Sequence, residues 1–202
     1  MTVPDTRLAV LFLRSRQTTP ITLALIAVAI VAGLALGTSN NDDLTRILRM
    51  VVPLAAAVTI GTATGLPFGE AERTASRALP PIRLGHLALL TGVAAVLLVL
   101  ASIVPGEDGY GTLLRNGAGL VGLALVGARL VGAGVSWLLP LGYATVVFAD
   151  FLVKPDRDAS WRWPLQPLED AASWLIAVSF LVAGLGVVAW RGGRDTGAEA
   201  TA

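Results

Sequence analysis

Residues 69–83, GEAERTASRALPPIR, form a polar break between two apolar runs, Met50 to Phe68 and Leu84 to Val104. A hydrocarbon core of about 30 Å needs about 20 residues of helix, so each run is long enough to span a bilayer. The break is therefore a loop held at one membrane face. Arg73, Arg77 and Arg83 assign that face to the cytoplasm by the positive-inside rule. Glu70 and Arg73 stand at i, i+3 spacing, and Ala71, Ala75 and Leu79 share one weakly apolar side. Pro80-Pro81 then ends the loop helix before the next span begins. A soluble partner that drives this protein would dock on that loop.

Composition points the same way. The 202 residues are 54% hydrophobic and 14% charged, with mean hydropathy +0.72. A soluble domain carries about 25% charge. The class is integral membrane, and the fold class is all-α and polytopic. There is no cysteine, which excludes disulfides and thiolate metal sites, and a single histidine, His86, which excludes a multi-histidine centre. The net charge of +1 indicates no nucleic-acid partner. Arginine outnumbers lysine 14 to 1, a bias that fits a GC-rich bacterial genome.

Working outward, the pattern predicts six spans, at about 20–36, 48–68, 84–104, 113–130, 134–150 and 171–190. Residues 1–19 precede them. Leu8, Leu11 and Phe12 fall on one side, with Arg7 and Arg14 a heptad apart. That reads as an interfacial helix on the cytoplasmic surface, or as a basic tail that only sets orientation. The apolar run that follows is long and has further spans after it, which favours an uncleaved anchor over a signal peptide. Pro53 and Pro140 are expected to bend spans 2 and 5. His86 reads as an interfacial residue or a proton relay. Arg129 either ends span 4 or lines a polar pathway. Gly117, Gly119 and Gly122 spell GxGxxG, but no strand precedes them, so close helix packing explains them better than a nucleotide site.

The longest polar segment after the break, Asp150 to Asp170, alternates charges with Trp161 and Trp163. It is expected to be a re-entrant or interfacial cap on the outer mouth, with Asp150, Trp161 and Trp163 as its marked residues, or else an ordinary loop with an aromatic belt. Trp174 and Trp190 mark the two interfaces of span 6. Residues 191–202 read as a disordered cytoplasmic tail. This topology puts nine basic residues inside and six outside, so both termini are expected in the cytoplasm of a multi-pass plasma-membrane protein.

The chain contains no HExxH, GxSxG or Cys/His pair, and no Walker A sequence. Asp and Glu are missing from the middles of the spans, which argues against a self-powered transporter.

The six-span layout, the N-terminal surface helix, the charged loop between spans 2 and 3 and the outer segment before span 6 together resemble an ABC-2 type ABC transporter permease. The residues carrying the resemblance are Glu72-Arg73-Thr74, Leu79-Pro80 and Arg83, with Asp150 to Asp170 as the outer segment. The resemblance implies that Glu70, Glu72, Arg73, Thr74, Arg77, Leu79 and Arg83 form a coupling surface for a separate ATPase subunit. It implies ATP and Mg only in that partner, with no cofactor and no catalysis in this chain. A second copy or a homologous permease would complete the pathway. The uncharged spans fit an amphipathic or hydrophobic cargo. Two other classes stay open: a non-transporting membrane partner such as an immunity or assembly factor, and an intramembrane enzyme acting on lipid.

Overall fold

The computed structural model describes residues 18–39, 41–65, 80–103, 109–155, 157 and 159–191. Among them there is no strand, and six helices are long and apolar enough to cross a membrane. They are α1 (Thr18–Thr38), α2 (Asp42–Thr62), α3 (Pro80–Ile103), α4 (Tyr110–Leu130), α5 (Leu138–Val153) and α6 (Ala171–Arg191). The protein is an all-α, polytopic membrane protein. The N-terminal interfacial helix and the tail beyond 191 lie outside the described residues.

Local chemistry moves several helix ends away from the hydropathy boundaries. Helix α2 begins at Asp42, not near 48, because Asn41 caps it: its side-chain oxygen accepts from Asp43 N at 2.9 Å and Leu44 N at 3.2 Å. Asp42 and Asp43 then sit in the first turn, where acids complement the helix dipole. Arg46 and Arg49 are therefore helical. Between α4 and α5 the chain reverses at Gly132, whose φ of 108° suits only a residue without Cβ, and passes through a 3-10 turn, Ala133–Val135. Helix α5 starts at Leu138, so Pro140 lies in its first turn, where a missing N–H leaves no helical bond unmade. It stands at the start of the regular helix and not within it. Arg129 falls in the last turn of α4, at a helix end.

Helix α4 is the central post. Of its apolar window 72% is buried, against at most 39% in any other span. It packs most extensively against α6 and then α2. The core around it is apolar: Leu120, Leu123, Ala124 and Leu125 meet Ala57, Ile60, Leu90 and Ala177. At the α4–α6 crossing, a Cβ on Gly122 would overlap the Phe180 backbone, and one on Gly184 would stand 2.6 Å from the Gly122 carbonyl. Small residues here let two backbones touch, the usual source of helix association in lipid. Helix α1 lies outside, closing a second cluster of Ala32, Leu36, Val52, Leu98, Ala101 and Leu113.

Candidate functional site: a re-entrant segment seated on α4

Between α5 and α6 the chain forms a short 3-10 segment, Ser160–Leu165. Pro164 and Pro167 deny this stretch a continuous helix. It does not lie on the surface. Trp163 is 1% exposed and enters the bundle at Gly119, where any Cβ would overlap its ring. Eight residues earlier on α4, Gly111 is a second notch; a Cβ there would stand 2.7 Å from Leu168. The rise of about 1.5 Å per residue puts Trp163 roughly 13 Å along α4 from Tyr110, well below the helix end. Tyr143 of α5 stacks on Trp163 at 5.9 Å and 13°, and its hydroxyl donates to the Trp161 carbonyl.

Two polar side chains between the notches hold the segment. Arg115 is 0% exposed and donates to the Pro167 carbonyl at 2.7 Å and the Gln166 carbonyl at 2.8 Å. An unpaired guanidinium within a span costs several kcal/mol, about 2.5–3.5 on insertion scales, so those carbonyls account for its presence. Asn116, 1% exposed, donates from Nδ2 to the Pro164 carbonyl and the Arg49 carbonyl, both at 3.0 Å. Both neighbours are acceptors, so only the amide nitrogen can face them.

A third set stiffens the segment's own loop. Arg162, 2% exposed, donates through Nη1 to the Lys154 carbonyl at 3.0 Å and the Arg157 carbonyl at 2.6 Å. Its Nε lies 3.7 Å from Asp150, which also pairs with Arg157 at 3.2 Å. Arg46 and Arg162 both lie over the Phe151 ring, at 5.6 and 5.7 Å, tying α2 to this loop. Asp170 caps α6, accepting from Ser173 N at 3.0 Å and from the Ser173 hydroxyl. Those bonds, the hydroxyl first, hold its carboxyl below the ordinary 3.8.

Beside the segment, a cleft of about 780 Å³ opens between the starts of α2 and α4, lined by Asp42, Arg46, Arg49, Thr112, Gln166 and Glu169. Among the described residues no group of three or more His, Asp or Glu is placed to hold a metal ion.

The sequence-marked residues divide sharply. Glu70, Glu72, Arg73, Thr74, Arg77 and Leu79 lie outside the described residues. Arg83 is half-buried near the start of α3. Asp150, Trp161 and Trp163 do come together, but in unlike roles. Asp150 is an ion-pair partner, Trp161 stays at the surface and Trp163 is buried in the bundle and not part of an aromatic belt. Sequence reasoning missed Arg115 and Asn116. The signal was available: two polar residues flanked by glycines at 111 and 119, all within one face and a half of a helix.

Comparison with protein-family models, with curated proteins and with solved structures finds no match for this chain.

Proposed function

We propose that this chain is the transmembrane permease subunit of an ATP-driven transporter in a bacterial plasma membrane, exporting an amphipathic or hydrophobic compound. A separate ATPase docks on the cytoplasmic loop 69–83 and supplies ATP and Mg; this chain supplies no catalysis. The observation that carries the reading is the segment between the fifth and sixth spans, re-entrant and seated in the bundle through Trp163. That is the layout the ABC-2 permease resemblance implies for the outer side. The middle of α4 is packed with Leu120, Leu123, Ala124 and Leu125, so a pathway is better made between two copies than through one. Both termini then lie in the cytoplasm. Co-purification from the native membrane with an ATPase, whose rate the chain stimulates, is the expected result. The Glu72→Ala/Arg73→Ala double variant abolishes that stimulation; an unchanged rate removes the docking assignment.

The same close Gly122–Gly184 crossing and filled core also suit a second reading, a non-transporting membrane partner that serves as a rigid bundle. Its mark is a stable complex with another membrane protein, no associated ATPase and no compound moved in vesicles.

A further inference from the structure

Pro53 lies inside α2, and its missing N–H leaves the Arg49 carbonyl without its helical donor. Asn116 supplies that donor from α4 and, with its other hydrogen, holds the Pro164 carbonyl of the re-entrant segment. The packing of α2 changes at the same place. Towards the segment, Arg46 lies over Phe151 and Met50 packs in a cluster with Val147 and Leu165. On the other side of Pro53, Ala56, Ala57 and Ile60 pack into the main core with Ala124. The stretch of α2 before Pro53 thus turns one face to the re-entrant segment while its Leu48 and Val52 face packs with α1 and α3, the stretch after it lies in the main core, and Leu54 touches both clusters beside the gap in the hydrogen-bond ladder.

We propose that Asn116 is a latch and Pro53 a hinge: a single amide on the central helix holds both the Asp42–Met50 end of α2 and the Ser160–Leu165 segment closed, and the α2 end swings about Pro53 when the latch releases. Both acceptors share one nitrogen of a buried amide, so a shift of either weakens the hold on the other. A proline inside a helix is a recognised place for such a swing, because the helix's own ladder lacks a hydrogen bond there. This deepens the permease reading, resting on it only for the source of force: the far end of α2 leads into the loop where the ATPase would dock.

The chain has no cysteine, so one introduced thiol reports cleanly. Val147 is 0% exposed beneath Leu165, and Val147→Cys is the reporter. The full chain is placed in nanodiscs, without any ATPase, and labelled with a membrane-impermeant maleimide. Asn116→Leu keeps the branched outline but removes the donors, and labelling speeds up about tenfold as the segment opens locally. Pro53→Ala mends the ladder and stiffens the hinge, and labelling slows about threefold. Opposite directions are the expected result. Native rates in either variant, or faster labelling in Pro53→Ala, overturn the proposal. Should Asn116→Leu fail to fold, Pro53→Ala decides alone, because alanine favours the helix. Labelling uses no ATPase, so its failure leaves the 69–83 docking assignment standing; failure of the ATPase assay leaves the latch standing.

Discussion

Asn116 donates to the Arg49 carbonyl at 3.0 Å, the acceptor that Pro53 strands four residues along α2. A helix defect on one span is repaired by a side chain on another. Such repair is the usual condition for proline within a membrane helix.

The repair sets a stability cycle. Asn116→Leu removes the side-chain donor of two carbonyls and is expected to cost about 1–2 kcal/mol, given interhelical bonds in membranes averaging about 0.6 and reaching about 1.7. In a Pro53→Ala background the Arg49 carbonyl regains a helical N–H. The same Asn116→Leu change should then cost about half as much. Unfolding in mixed micelles by SDS titration measures both; equal costs in the two backgrounds would separate Asn116 from Pro53.

Trp163 and Gly119 should behave as one unit. Trp163→Ala empties a fully enclosed site and should cost about 3–5 kcal/mol. Gly119→Ala forces a methyl group into the ring and should cost about 1–3 kcal/mol or more. Combined with Trp163→Leu, the Gly119→Ala penalty should largely vanish, because the clash partner is gone. Thermal melts followed by tryptophan fluorescence check this.

Not every glycine in these helices is equal. Gly122→Ala would press a methyl group on the Phe180 backbone, which has no side-chain rotamer to yield, and should prevent a monodisperse folded preparation. Gly92, Gly142 and Gly186 have open space where a Cβ would go. Alanine at those positions should be neutral or raise stability by about 0.4–1 kcal/mol. Size-exclusion profiles and melting temperatures distinguish the two groups.

Asp170 carries a pH signature. Its folded-state carboxyl lies below the ordinary 3.8, through the Ser173 hydroxyl first and the Ser173 N–H next. A depressed carboxyl contributes its stability above the ordinary value and loses it as pH falls through the lower folded one. The native chain should therefore melt higher than Asp170→Asn at neutral pH, and the gap should close only in acid, below the ordinary carboxyl range. A gap independent of pH would assign the cap to geometry and not to charge.

The parts of the fold that follow from hydropathy were legible. Six runs of about 20 apolar residues leave a chain few choices, because the backbone must satisfy itself as helix in lipid. Helix ends were less legible where a short polar group competes with hydropathy, as Asn41 does when it starts α2 ahead of the apolar run. Pro140 misled for a related reason: a proline's effect depends on its place in the helix, and three residues separate a kink from an ordinary first turn. The segment between α5 and α6 was visible as tryptophans and prolines between charges. Its seat was not, since Gly111 and Gly119 look like any other glycines until their neighbours are known.

By itself the amino-acid order determined that this is a multi-span helical membrane protein with a long polar segment before its last span. Those properties arise from local terms, namely apolar length, turn residues and charge along the chain. Tertiary structure alone decided that α4 is the central post, that Trp163 lies inside the bundle, and that Asn116 joins Arg49 to Pro164. The reason is physical. Each of those contacts spans more than 40 residues of sequence, and a buried donor chooses its acceptor only after the helices have packed.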